Sequence, residues 1–345
     1  MKNKLLIITQ KVDKNDPVLG FFHGWLLEFA KKYEKITVIC LVKAEYNLPS
    51  NIKVLSLGKE NRISRLNYVI NLYKYIWQER ANYDQVFVHM NPEYLVLAGC
   101  FWRCWGKRIG FWYNHAKGGI KAKLAIKLAH KVFYTSSYAF AARYQKSQVM
   151  PVGIATDIFK INKLKQVSEP FRLLSLGRIS PVKDLETLVA AAKILAKENF
   201  DFLLDIYGTA PVQDEDYYKK IREQAKTLEV DNKIIFHSSV VYQQTPDIYN
   251  SHDLFINLTP SGSFDKTILE AMACGTLVLI CNKSLHDDLP DNFLFKEHEA
   301  IDLARKIKAI SLIDKQKYQE KFRQYVLEKH SVDILISRLQ QVLGE

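Results

Sequence analysis

Cysteine is scarce: five residues among 345, at positions 40, 100, 104, 274 and 281. An odd, scattered set does not make a disulfide framework and fits a reducing compartment. Cys100 and Cys104 have helical spacing, but two ligands without a nearby His or further Cys do not make a structural zinc site, so no metal is expected. Glycine (14) and proline (10) are too thinly spread for a collagen-like or low-complexity chain. Long apolar runs are missing too. The longest, Tyr94 to Trp102, falls well short of the roughly 20 residues that cross a bilayer. The apolar run near the N-terminus, Leu5 to Ile8, is too short for a signal peptide and reads as a buried first strand. What remains is an ordinary soluble mix, 48% hydrophobic and 25% charged, long enough for two domains.

The most informative absence is acid. Between Tyr94 and Thr156 there is no Asp or Glu, while ten Lys and Arg occur. Up to Lys160 the chain holds 25 basic and 10 acidic residues; beyond it, 24 and 27. The formal excess of +12 therefore lies wholly in the first half. Such a face attracts polyanions: nucleic acid, anionic lipid headgroups or phosphorylated substrates. Nucleic acid has no supporting motif, so it is set aside.

Short apolar runs alternate with amphipathic stretches. Leu5–Thr9, Ile36–Val42, Ile52–Leu55, Gln85–His89, Arg108–Trp112 and Lys131–Thr135 read as strands, with helical periodicity in Leu19–Tyr33, Ile63–Arg80 and Gly118–His130. After a polar segment, Asn162 to Pro170, the pattern restarts. Arg172–Leu176, Phe202–Tyr207, Lys233–Phe236, Leu254–Asn257 and Leu277–Ile280 read as strands, separated by helices at Asp184–Lys197, Asp216–Leu228 and Thr267–Ala273. Two helical stretches, broken near His330, close the chain. This alternation predicts an α/β protein of two doubly wound, Rossmann-like parallel sheets facing each other across a cleft. The expected division is residues 1–162, which carry the basic excess, and residues 163–345, with terminal helices that cross back to the first domain.

Two segments carry chemistry. In Leu173 to Asp184 a strand ends at Gly177, and Arg178 and Lys183 follow in the loop entering a helix. Two cations beside a helix N-terminus suit a diphosphate, because fixed charge and free N–H groups act together. In Pro260 to Gly275 a small-residue loop leads into a short helix near Asp265. Ser263, Phe264 and Asp265 would present backbone N–H groups, and Glu270, on an apolar helix, needs a partner such as paired ribose hydroxyls.

In this order and spacing, the Gly177-Arg178…Lys183-Asp184 and Leu269-Glu-Ala-Met-Ala-Cys-Gly275 segments resemble the family 4 glycosyltransferases, retaining enzymes of GT-B architecture. Val149 to Phe159 looks like that family's domain-closing turn, and Asp253 to Ser261 like its strand before the donor loop. The resemblance covers the whole chain and is sharpest in the second half. It implies that Arg178 and Lys183 hold the donor diphosphate and that Glu270 takes the ribose. It further implies donor contacts from Gly20, Gly177, Ser263, Phe264, Lys266 and Thr267, and places His115 near the transferred sugar. One departure stands out. The family pairs two glutamates with seven residues between them; Glu270 matches the second, but Gly262, eight positions earlier, occupies the place of the first. Either Asp265 takes over that role, the donor sugar is held differently, or activity is lost; compensation by Asp265 is the favoured expectation.

The expected reaction is transfer of a hexose-type sugar from a nucleotide donor, with retained configuration and no metal or other cofactor. The expected acceptor is a lipid-linked saccharide of bacterial surface-glycan assembly. A nucleotide-sugar epimerase or a silent sugar-nucleotide or lipid-binding protein are the alternatives. In Gly118 to Lys131, Ile120, Leu124 and Leu128 recur every fourth residue, with Lys123, Lys127 and Lys131 as a parallel stripe. Together with Arg103, Lys107, Arg108, Lys117 and Lys121 among aromatic neighbours, this suits an anionic membrane surface. A core-facing apolar stripe with solvated lysines explains that helix equally. The expected location is cytoplasmic, held peripherally at the inner face of the cell membrane.

Overall fold

A computed structural model describes residues 4–162, 170–261 and 264–345. The first half runs β1 (Lys4–Val12), α1 (Phe21–Lys32), β2 (Lys35–Lys43), β3 (Ile52–Ser56), α2 (Arg65–Gln78), β4 (Gln85–His89), α3 (Pro92–Cys104), β5 (Arg108–Trp112), α4 (Ile120–Leu128), β6 (Lys131–Tyr134) and β7 (Ser147–Val149). The second runs β8 (Phe171–Leu176), α5 (Leu185–Lys197), β9 (Phe202–Tyr207), α6 (Glu215–Val230), β10 (Ile234–His237), α7 (Thr245–Asn250), β11 (Leu254–Asn257), α8 (Lys266–Ala273), β12 (Leu277–Ile280), α9 (Ala300–Ser311) and α10 (Lys315–Lys329). α11 (Val332–Gly344) ends the chain. Two compact units result. One runs to Ala155 and takes in Ser331–Glu345; the other is Thr156–His330.

The first sheet has the order β3-β2-β1-β4-β5-β6-β7 and the second β10-β9-β8-β11-β12, with every pairing parallel. The strong β1 signal follows from its run of apolar side chains, which serves both faces at once. Leu5 and Ile7 point to one core, with Phe22, Trp25, Leu26 and Phe29 of α1 and Leu335, Ile336 and Leu339 of α11. Leu6 and Ile8 point to the other, with Leu72 and Ile76 of α2, Leu95 and Trp102 of α3, and Ala125 and Ile126 of α4. So α1 and α11 cover one face and α2, α3 and α4 the other. α11 packs so closely that a Cβ on Gly110 of β5 would lie 2.6 Å from Leu343.

Helix α3 was not visible in the sequence pattern. It begins with a proline at its first position and carries the longest apolar run, of which Tyr94, Leu95, Ala98, Gly99 and Trp102 are buried, so no polar stripe marks its period. β7, α7 and α9 also went unread; the first two are only three and six residues long.

The second unit has a polar knot in its core. Asp205 of β9, 2% exposed, accepts hydrogen bonds from Arg172 Nη2 at 3.2 Å, His252 Nε2 at 3.0 Å and His237 Nε2 at 2.5 Å. Burial alone would raise this carboxyl, but the His252 and His237 hydrogen bonds, with Arg172, hold it well below the usual carboxylate range. A lowered native pKa means stability that is present above the unfolded value, about 4, and is lost progressively as pH falls below it and through the lower folded value. Asp205→Asn should therefore unfold more easily at pH 7 by about 3 kcal/mol. In urea titrations, the gap to the parent should narrow steadily between about pH 5 and 3. A gap that does not change with pH contradicts this assignment.

Candidate functional site

In the second unit the strand order reverses between β8 and β11, the neighbours at the middle of the sheet. Open parallel sheets bind ligands at the carboxyl ends of strands beside such a reversal. Both chemistry-bearing segments start there: Gly177–Asp184 leaves β8, and Leu258–Asp265 leaves β11.

The first turn is built on two glycines. Gly177 has φ +149° and Gly208, after β9, has φ +154°. A Cβ on Gly208 would sit 1.9 Å from the Gly177 carbonyl oxygen, so the two backbones meet only because Gly208 has no side chain. Backbone bonds from Gly177 N to Tyr207 O and from Ile179 N to Thr209 O, each 3.0 Å, fix the turn. Ile179 is buried beneath it, which leaves Arg178 pointing out, exposed and without an ion pair among the described residues. Asp184, in left-handed backbone (φ 45°), caps α5 through Thr187 N at 3.4 Å.

Lys183 crosses to the second loop. Its ammonium forms an ion pair with Asp265 and donates to Thr259 Oγ1 at 3.0 Å. The same Asp265 oxygen accepts from Asn257 Nδ2 at 2.8 Å and Thr259 Oγ1 at 3.0 Å. The other accepts from Thr267 Oγ1 at 2.8 Å and Thr267 N at 3.3 Å, which caps α8. Burial would raise this carboxyl; the charge and hydrogen bond of Lys183, with Asn257 and Thr267, hold it far below its ordinary value. Asp265 is thus an ionised anchor with both oxygens engaged, holding Lys183 in place.

One turn into α8, Glu270 is 5% exposed and accepts from the Tyr249 hydroxyl at 3.4 Å. Burial pushes its carboxyl up, against the opposing charge of Lys266, and burial pushes the Lys266 ammonium down. A carboxylate at this pressure gains from hydrogen-bond donors brought by a ligand. Phe264 and Thr267 are half-buried on the same loop and helix start. Gly262 and Ser263, which carry the departure from the family pattern and one expected donor contact, lie outside the described residues.

Sequence reasoning missed the segment that ties both loops down. Glu297 Oε1 accepts from Ser261 N at 2.9 Å and Ser261 Oγ at 2.8 Å, and His298 Nδ1 lies 2.9 Å from Asp184 Oδ2. His298 has left-handed backbone, φ 61°. Neither residue sits in a recognisable motif; a non-glycine αL residue shows only in coordinates.

In the first unit, Gly20 is the buried residue before α1, but its φ of −55° is one any residue adopts. Its N–H bonds Asp16 O at 2.9 Å. His115 lies in the exposed loop after β5, its ring 5.1 Å edge-on from Tyr113, and desolvation lowers its pKa. The buried His89 at the end of β4 was not singled out by sequence. Its ring packs 4.6 Å from Phe22, and the next residue, Met90, is strained at φ 68°.

The basic residues divide by use. Arg103 Nη1 donates to Leu128 O at 3.0 Å and Lys107 Nζ to Tyr83 O at 2.6 Å, both closing helix or loop ends. Lys121 pairs with Glu93 at 3.2 Å, and Lys131 stands 3.9 Å from Glu345. Arg108, Lys117, Lys123 and Lys127 are exposed, with no ion pair among the described residues. The core-facing alternative for α4 holds only in part: Ala122, Ala125 and Ile126 face inward and Leu128 packs on the core, while Ile120 is 84% and Leu124 42% exposed.

A family model described as "Glycosyl transferases group 1" matches residues 157–329, half of the chain. Among curated proteins, the alpha-monoglucosyldiacylglycerol synthase of Streptococcus pneumoniae is 28% identical over 171 residues, which is 45% of this chain and 38% of that protein. The mannosylfructose-phosphate synthase of Agrobacterium fabrum is 29% identical over 111 residues, 31% of this chain and 24% of that protein. The matched stretches thus span well under half of either relative. Among solved structures, Anabaena HepE in complex with UDP and glucose aligns over 99% of this chain and 100% of its own, with a TM-score of 0.78 at 18% identity. A sucrose-phosphate synthase from Thermosynechococcus elongatus aligns over 98% of both chains, with a TM-score of 0.75 at 16% identity. Those likenesses bear on the fold alone, and they agree with the two parallel Rossmann-like sheets. The family match, across the unit that carries Arg178, Lys183 and Glu270, establishes that this chain belongs to the group 1 glycosyl transferases.

Proposed function

We propose that this glycosyltransferase moves a hexose-type sugar from a nucleotide-sugar donor to a lipid-linked saccharide, with retained anomeric configuration and without a metal, at the inner face of the cell membrane. The observation that carries the donor half is the pair of cations at the strand reversal: Arg178 exposed, and Lys183 held by Asp265 and Thr259. As the bond from sugar to diphosphate lengthens, negative charge grows on the leaving phosphate. Cations already fixed beside that oxygen stabilise it without reorganising, which is where most of the rate enhancement of such sites arises. Because these side chains supply the charge, no divalent ion is required of the reaction. No carboxylate is free to act as a nucleophile from Asp265, whose oxygens are both engaged. The resemblance to the retaining family 4 glycosyltransferases implies that the acceptor hydroxyl attacks on the face that the diphosphate leaves, giving its proton to a phosphate oxygen. The protein's part is positioning and charge stabilisation.

Glu270 is assigned to the ribose hydroxyls, whose donors would satisfy a buried carboxylate. Phe264, Lys266 and Thr267 are assigned to the loop and helix start that close over sugar and phosphate, Gly20 to the diphosphate, and His115 to the transferred sugar. Supporting the donor class, HepE is described in complexes with UDP-glucose and with UDP and glucose. Supporting a lipid acceptor, one relative is named for a glucosylated diacylglycerol. The exposed cations of the first unit support contact with anionic lipid.

Arg178→Ala is the cleanest test, because that side chain holds nothing else in place among the described residues. Its kcat/KM with the cognate sugar nucleotide should fall by about 10²- to 10³-fold, with thermal stability unchanged. Turnover at the parental rate sinks the assignment. Glu297→Ala should separate positioning from chemistry. Loss of the two hydrogen bonds that hold Ser261 should raise KM for the donor about tenfold and alter kcat far less. An unchanged KM would remove Glu297 from the site. For the reaction itself, coupling constants of the new glycosidic bond should report the donor's anomeric configuration, and saturating chelator should leave the rate intact; an inverted product, or chelator-sensitive turnover, contradicts the proposal.

A further inference from the structure

The helices over one face of the first sheet leave their outer side strongly apolar. Leu72 and Ile76 of α2, Trp102 of α3 and Ile126 of α4 fill the core. Outward stand Leu66, Ile70 and Trp77 of α2 and Phe101 of α3, alongside Ile120 and Leu124 of α4. Trp77 is 56% exposed, where a tryptophan has no solvent-side reason to stand. Between α2 and α3 opens a groove of about 490 Å³, lined by Tyr73, Ile76, Trp77, Phe101 and Trp105 with the stem of Lys74. Its rings brace one another edge-on or tilted: Trp77 to Trp105 at 5.7 Å, Tyr73 to Phe101 at 5.6 Å, Phe101 to Trp105 at 6.0 Å. The cluster is therefore held open and outward rather than folded down over the surface.

Cations frame this patch. Arg80 stacks over Trp77, 4.4 Å from the ring centroid, and Lys74 lines the groove. Of the nearby acids, Glu79 is buried against Lys53 at 2.6 Å and Glu93 is paired with Lys121, while Asp84, next to Tyr83, is exposed. A second copy of this chain would set cations against cations. An anionic bilayer offers the complementary charge and, beneath it, the interfacial zone that tryptophan and tyrosine favour. No helix among the described residues is long and apolar enough to cross a membrane, so these helices would lie on one.

We infer that the outer side of α2, α3 and α4 seats on an anionic bilayer, with Trp77, Phe101 and Trp105 entering the boundary between headgroups and acyl chains and the lysines of α4 resting on the headgroups. This rests on the reading, given above, that the first unit meets anionic lipid, and adds the element that anchors it. Binding then has two separable parts: a charge part weakened by salt, and an aromatic part that is not.

The test uses the full chain and vesicles of phosphatidylcholine alone or mixed with phosphatidylglycerol, with and without bromine on the acyl chains. Trp25, Trp102 and Trp112 are buried, so surface quenching reports Trp77 and Trp105. The chain should co-sediment with the mixed vesicles, and its fluorescence should be quenched by the brominated chains. Trp77→Phe with Trp105→Phe should stay bound and lose that quenching. Trp77→Ala with Phe101→Ala should weaken binding on the order of tenfold or more and leave a remainder abolished by high salt. Lys123→Glu with Lys127→Glu should lose the salt-sensitive part instead. Binding to mixed vesicles with no quenching overturns the aromatic seat and leaves the charge reading standing. Absence of binding to any vesicle overturns both. A lipid-independent dimer that dissolves with Trp77→Ala would reassign this face to self-association.

Discussion

One ion pair organises the candidate site. Lys183 and Asp265 come from loops 82 residues apart in sequence, on adjacent strands, and their contact fixes both loops at the strand reversal. Without Asp265, a lysine on the short turn before α5 would sample many rotamers, and its charge would be spread over solvent. Without Lys183, Asp265 would be a largely buried carboxylate with only neutral donors. The pair therefore does two jobs. It caps α8 and settles the loop, and it presents a preorganised cation next to the freely exposed Arg178. Gly177 and Gly208 permit this arrangement, because a methyl group on Gly208 would collide with the carbonyl that shapes the turn.

Much of the architecture was legible beforehand because parallel strands buried on both faces announce themselves. β1, β2, β4 and β11 are dense apolar runs bounded by polar turns, and caps such as Ser64 and Asp184 mark helix starts. Elements hidden from that pattern were hidden for physical reasons. α3 is nearly wholly apolar on its N-terminal half, and β7 is too short to show a period. At the site, the cations and the α8 segment were found by residue type and spacing. The role of Asp265 was not: expected to replace a missing carboxylate, it is engaged instead by Lys183, Asn257, Thr259 and Thr267. Nor were Glu297 and His298 readable, since their contacts with Ser261 and Asp184 join distant segments through a backbone conformation that no residue type signals.

The charge asymmetry has a structural counterpart. In the first unit the α2–α3–α4 layer carries both the exposed cations and the exposed rings, whereas the α1–α11 side of the same sheet is sealed by large buried side chains. In the second unit charge is used locally and in pairs, at Asp205, Asp253 with Lys315, and Asp265. Under the proposed function, the first arrangement serves an extended anionic surface and the second a small anion held at a fixed point.

The central claim is that Arg178 and Lys183 bind a diphosphate. Calorimetric titration of the full chain with a panel of nucleosides and their mono- and diphosphates measures it directly. The account predicts that the diphosphate of the preferred base binds at least about tenfold tighter than its nucleoside, and that this preference disappears in the Arg178→Ala, Lys183→Met double variant. Equal binding of nucleoside and diphosphate, or a preference that survives the double substitution, would contradict it.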